Sequence, residues 1–140
     1  MGCVLRAIGR DFDVDAFLQD SPLPKDAVFH RGEPRTADEG GTKRAASGFN
    51  APVGEAGLDD LDGQVQAASH FLREHEEELR RLGRFPGVEE VCLDFGLSWA
   101  AGASQSDLFP ADLLWQAGAL DIDLVVTHYA VADGSGLRES

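Results

Sequence analysis

An amphipathic helix followed by an amphipathic strand is the feature that most constrains the fold of this chain. Apolar residues recur at alternating steps of four and three, which predicts a helix with one buried stripe: Leu61, Val65, Ala68, Leu72, His75, Leu79 and Leu82. Asp59 or Asp60 is predicted to cap its N-terminus, and Gly83 to end it. Strict alternation follows, which predicts a strand with one apolar face: Val91, Leu93, Phe95, Leu97 and Trp99. One helix stripe and one strand face are what a two-layer core requires.

The remaining segments predict four more strands and two short helices. Apolar runs place the strands near residues 3–9, 27–30, 47–53 and 122–131. Asp13 and Pro110 are predicted to open the short helices, the second of which would bury Leu114. We therefore expect an α+β two-layer sandwich. Its mixed or antiparallel sheet of about five strands would carry one long and two short helices mainly on one face.

The chain is predicted to form a single α+β domain over residues 1–140, a length suited to one core. Residues 32–46 are polar and contain Pro34, Gly40 and Gly41, which predicts a mobile loop. Residues 133–140 are predicted to be a polar tail. In the last strand both alternating sets of residues are apolar, which is typical of a strand covered on both faces. Its second face would then meet another subunit and form a homodimer through a sheet face.

The charge of the chain limits its partners. Twelve Lys and Arg stand against 25 Asp and Glu, a net charge of -13. Phosphate backbones and anionic lipids should repel such a protein, so neither nucleic acid nor a membrane is expected as partner. A basic protein partner would be attracted. Cys3 and Cys92 lack the spacing of a zinc site or a disulfide framework, and the N-terminus does not read as a signal sequence, so a cytoplasmic location is predicted.

No catalytic residue, metal site or cofactor is predicted. Ser98 lies in a Gly-Leu-Ser-Trp-Ala segment that echoes the nucleophile elbow of hydrolases, with Asp123 and His128 further along the chain. No helix signal follows Ser98, and the chain is short for that fold. His70 and His75 are five residues apart, about 140° around a helix, which does not suit one metal ion. A glycine-rich phosphate loop is missing from the sequence.

The order of these segments resembles an uncharacterised bacterial family, the domain of unknown function numbered four-two-seven-nine. The resemblance covers most of the chain and follows its succession of segments: Leu5-Arg6-Ala7-Ile8-Gly9, Asp13 to Leu18, Val28 to Arg35, Ser47-Gly48-Phe49-Asn50, His70 to Leu82, Val91 to Trp99 and Phe109 to Tyr129. It implies a small bacterial α+β domain, and it carries no catalytic residues.

Two functions remain open at this point. The leading hypothesis is a non-enzymatic, cytoplasmic protein-binding module, an immunity-type inhibitor being one form of it. The alternative is a small-ligand-binding protein or enzyme with a pocket between the sheet and the 32–46 loop. Four polar residues are the candidates for lining that pocket: His30, Arg31, Asp94 and Ser98.

Overall fold

The computed structural model describes residues 2–35, 42–102 and 104–131. Its strands are β1 (Cys3–Gly9), β2 (Ala27–Phe29), β3 (Ser47–Val53), β4 (Glu90–Trp99) and β5 (Asp123–Ala130). Its helices are α1 (Val14–Gln19), α2 (Leu61–Glu74), α3 (Glu76–Arg84) and α4 (Ala111–Ala119). The predicted tail and residues 36–41 of the predicted loop lie outside the described residues.

The strands form one mixed sheet in the order β2-β3-β1-β4-β5. The pairs β2–β3, β3–β1 and β1–β4 are antiparallel, whereas β4 and β5 are parallel. Parallel neighbours need a crossover connection, and α4 lies within it. The predicted α+β class with a mixed, five-stranded sheet is therefore confirmed.

The core lies between one face of the sheet and the helices. Cys3, Leu5 and Ala7 of β1 are buried on that face, beside Phe49 and Leu93 of the neighbouring strands. All four helices contribute to the same core, with these residues: Val14, Phe17 and Leu18, then Ala68, Phe71 and Leu72, then Leu79 and Leu82, then Leu113 and Ala117. The helices therefore form a single layer.

The long predicted helix is divided at His75, whose φ of -110° and ψ of 24° are not helical. The predicted cap at its start is confirmed, because Asp60 Oδ1 accepts a hydrogen bond from the Gly63 N–H at 2.9 Å. The predicted end at Gly83 is wrong. The helix continues to Arg84 and stops because Phe85 adopts an extended backbone with ψ of 134°.

Arg81 shows why local spacing did not predict every pair. The sequence places Glu77 one turn before Arg81, but the guanidinium contacts Glu78 at 2.9 Å. It also lies 4.1 Å from the centre of the Phe17 ring and donates to the Phe17 carbonyl at 3.0 Å. These contacts hold Arg81 on the side of the helix that faces α1, where Glu78 is half-buried, whereas Glu77 is exposed.

β5 is the edge of the sheet, and within the described residues its Tyr129, on the face away from the helices, is 51% exposed. The homodimer through that sheet face therefore stays a prediction. The prediction that Leu114 of α4 points inward is wrong, because it is 47% exposed. The nine-residue α4 presents Leu113 and Ala117 to the core, which leaves Leu114 on its outer side.

Candidate functional site

The sheet face opposite the helices is covered by no described helix, and we call it the open face. Alternation along the paired strands assigns these residues to it: Ala27 and Phe29 of β2, Val4, Arg6 and Ile8 of β1, Gly48, Asn50 and Pro52 of β3, Glu90, Cys92, Asp94, Gly96 and Ser98 of β4, and Asp123, Val125, Thr127 and Tyr129 of β5. Most of them are half-buried. The open face is therefore an apolar surface with polar groups near its centre.

Arg6 is the centre of that polar group. The register places it between Asn50 of β3 and Cys92 of β4. Its Nη2 lies 3.2 Å from Asp94 Oδ2, and its Nε donates to Asn50 Oδ1 at 3.3 Å. Thr127 Oγ1 donates to the other carboxylate oxygen of Asp94 at 2.7 Å. Both oxygens of Asp94 thus have partners, in a side chain that is only 13% exposed.

The two cysteines are buried and free. Cys92 lies on the open face, with its Sγ 4.0 Å from Arg6 Nη1. Burial raises the pKa of the Cys92 thiol, and the nearby Arg6 opposes that shift in part. Cys3 lies on the core face, where burial and then the charge of Asp94 raise its pKa to about 12. Both groups are therefore thiols at neutral pH and are poor nucleophiles.

Residues 54–60 form a loop that contains Glu55, Asp59 and Asp60, which we call the acidic loop, and it borders the open face where β4 ends. Leu58 and Tyr129 both lie against Gly96, since a side chain added at this glycine would meet them at 2.9 and 3.1 Å. The Ser98 N–H donates to the Leu58 carbonyl at 3.1 Å, which fixes the loop to β4. A depression of about 220 Å³ lies beside it, lined by Leu58, Asp59, Leu61, Leu97, Ser98, Gln105 and Asp107.

His30 and Arg31 lie at another corner of the molecule, just after β2. The His30 Nε2 lies 2.9 Å from Asp15 Oδ2 of α1, and its Nδ1 lies 3.3 Å from Glu33 Oε2. The hydrogen bond with Asp15 raises the pKa of His30, and the bond from the His30 N–H lowers the pKa of Glu33. Arg31 contacts Asp11 at 3.3 Å. These pairs tie α1 to the start of the predicted 32–46 loop.

The structure does not bring the four predicted site residues together. Asp94 and Ser98 share the open face of β4, but four residues of strand separate them by about 13 Å. His30 and Arg31 follow β2, and two strands lie between β2 and β4, which adds about 14 Å across the sheet. Sequence reasoning missed three residues of this group: Arg6 and Thr127 contact Asp94, and Asn50 contacts Arg6. Alternation in the sequence predicts the polar face of β4, but only the strand order shows that residues of β1 and β5 lie beside it.

Ser98 and His128, compared above with the catalytic residues of hydrolases, lie on opposite faces of the sheet. Register pairs His128 with Leu97, on the core-facing side of the sheet, whereas Ser98 belongs to the open face. His70 and His75 both approach Glu74 Oε1, at 3.3 and 3.8 Å, because the helix ends there. Within residues 2–35, 42–102 and 104–131, no group of three His, Cys, Asp or Glu side chains could hold a metal ion.

Comparisons of the chain with models of protein families, with curated proteins and with solved structures yield no match. The resemblance to the domain of unknown function therefore stays a prediction. In the described ranges, no helix combines the length and the apolar character needed to cross a bilayer.

Proposed function

We propose that this chain is a non-enzymatic protein-binding module of the cytoplasm that docks a basic protein on its open face. The observation that carries the proposal is a sheet with every described helix on one side. A half-buried apolar sheet face of this kind is typical of interaction surfaces. An immunity-type inhibitor is one form that such a module takes.

The distribution of charge supports a basic partner. Residues 45–72 and 85–131 contain no Lys or Arg, and they include four and seven acidic residues respectively. These stretches supply β3, β4, β5 and the loop that borders the open face. Two arginines lie beside this face: the charge of Arg6 is matched by Asp94, and Arg44 lies 4.5 Å from the centre of the Phe29 ring of β2. A basic surface would therefore meet a favourable potential as it approaches.

The side chains of the open face favour binding over catalysis. The polar atoms at its centre contact one another, and burial keeps the thiol of Cys92 protonated. A general base or nucleophile requires a free reactive group near the substrate. The alternative of a small-ligand pocket beside the 32–46 loop stays a prediction, and its four residues lie at separate places on the sheet.

A matched pair of charge variants tests this proposal. Val4→Lys adds one positive charge to the middle of the open face, whereas Gln66→Lys adds one to the exposed side of α2. Each protein would be used to capture partners from the native lysate, and binding of the captured protein would then be measured with purified components across salt. A basic partner bound by the wild type and by Gln66→Lys, but at least tenfold more weakly by Val4→Lys, would support the proposal. Equal binding by both variants, or a retained metabolite in place of a protein, would contradict it.

A further inference from the structure

β5 leaves a full row of main-chain hydrogen-bonding groups at the edge of the sheet. The Val131 N–H donates to the Trp99 carbonyl of β4 at 2.9 Å, so the odd-numbered residues of this segment face β4. The N–H and C=O of one strand residue point to the same side. Leu124, Val126, His128 and Ala130 therefore direct theirs away from the sheet. No hydrogen bond within the described ranges joins this side of β5 to another segment.

This edge lacks the usual features that prevent strands from pairing. Natural edge strands are commonly short, or carry charged residues, proline or a bulge. The other edge strand, β2, follows that rule with three residues. By contrast, residues 124–131 contain no Asp, Glu, Lys, Arg, Pro or Gly, in a chain with a net charge of -13. Val126 and Tyr129 are also 36% and 51% exposed.

We propose that a second copy of this chain adds to this edge, with β5 antiparallel to β5 across a two-fold axis. The register centred on Thr127 uses every outward group. It pairs Leu124 with Ala130 and Val126 with His128 of the second copy, which gives about eight main-chain hydrogen bonds. The result is one continuous sheet of ten strands.

The side chains in this register match one another. Val125 lies opposite Tyr129 of the second copy, and Thr127 lies opposite its own equivalent, in the closely spaced pairs that do not exchange hydrogen bonds. Pairs of an aromatic with a β-branched residue, and of two threonines, are favourable across antiparallel strands. The segment fits a second copy of itself and does not require a different strand.

The charge distribution also favours this edge for self-association. Two copies of a strongly acidic chain repel each other wherever their carboxylates approach. In the proposed register the two Asp123 side chains lie at opposite ends of the paired strands, about 27 Å apart. That distance exceeds the screening length of about 8 Å at physiological salt. The open faces of the two copies stay uncovered, so the dimer does not depend on the proposed function.

Sedimentation and disulfide trapping test the register directly. As its concentration is raised from about 1 µM to about 1 mM, the wild type should change from the 15.0 kDa monomer to a species of twice that mass. Thr127→Cys should form an intermolecular disulfide under mild oxidation, since its Cα atoms would be about 4.5 Å apart. Val125→Cys is the matched control, because its two Cα atoms would be about 14 Å apart and out of reach. The native thiols are buried and should not compete.

If Thr127→Cys fails to fold, the variants Val126→Pro and Val126→Ala test the proposed dimer instead. Val126→Pro removes an outward N–H without removing a bond to β4, and proline is tolerated at such edge positions. It should dissociate the dimer at least tenfold more readily than Val126→Ala, which keeps the N–H. A wild type that stays monomeric throughout the range overturns the proposal. A dimer that Val126→Pro leaves intact, or that oxidation traps equally through position 125, also overturns it.

Discussion

Gln64 provides the most direct test of how the acidic loop is held beside the open face. Its side chain is fully buried in α2, and its Nε2 donates to the carbonyls of Gly57 and Gly96, both at 2.8 Å. One amide thus joins the loop, the helix and β4. Its Oε1 is buried without a hydrogen-bond partner. Replacing Gln64 with Met keeps the length of the side chain and removes all of these polar contacts.

The expected loss of stability depends on whether the Gly57 and Gly96 carbonyls can find another hydrogen-bond donor in the variant. The buried Gly96 carbonyl would be left without its donor, which costs about 1–3 kcal/mol, whereas the Gly57 carbonyl is only partly buried and reaches water at a cost of about 0.5–1.5 kcal/mol. Removing the unpartnered Oε1 offsets about 1 kcal/mol of this. The Gln64→Met variant should therefore be destabilised by about 2 kcal/mol.

Urea denaturation followed by circular dichroism measures this loss. With a slope of about 2 kcal/mol per molar urea, the midpoint should fall by about 1 M. Gln66→Met is the matched control, since Gln66 is exposed two residues away on the same helix, and its stability should change by less than about 0.5 kcal/mol. If the two variants unfold at the same urea concentration, the Gln64 amide does not connect the loop to β4 as argued.

Three further predictions concern titrating groups. The hydrogen bond from Arg81 lowers the pKa of Glu78. The Glu78 carboxylate therefore stabilises the fold above its unfolded pKa, and this stabilisation is lost as the pH falls through its folded pKa. In urea titrations at several pH values, Arg81→Met should lose less folding stability on acidification than the wild type does. The Asp15 carboxylate raises the pKa of His30, so stability from this pair is present below the unfolded pKa of about 6.5 and is lost as pH rises through the folded value. Asp15→Asn should lower the His30 pKa measured by NMR, and an unchanged value would contradict the contact. Burial raises the pKa of both thiols, so a thiol reagent should label the native protein slowly and the denatured protein quickly, at two groups per chain.

Residues that act on near neighbours could be predicted from the sequence. Asp13 caps α1, since its Oδ1 accepts from the Ala16 N–H at 3.2 Å, and Asp60 caps α2 in the same way. The Glu76–Arg80 pair forms one turn apart, as its spacing predicts. Helix geometry alone sets these distances, so residue spacing was enough to predict them.

The candidate site could be predicted only in part, because its contacts cross the sheet. Alternation placed Asp94 on the polar side of its strand, but its partner Arg6 comes from β1 and Thr127 from β5. Arg81 shows the same limit within a helix. A contact with the distant Phe17 decided between two glutamates that local spacing could not distinguish.

The sequence by itself determined the kinds of elements, the N-terminal caps of α1 and α2 and the buried face of β4, because these depend on residues two to four positions apart. Tertiary structure alone decided the strand order, and with it the edge position of β5 and the meeting of Arg6 with Cys92, 86 residues away. The physical reason is that a strand satisfies its main-chain hydrogen bonds equally well beside several partners. The choice among them depends on how the whole chain packs its single core.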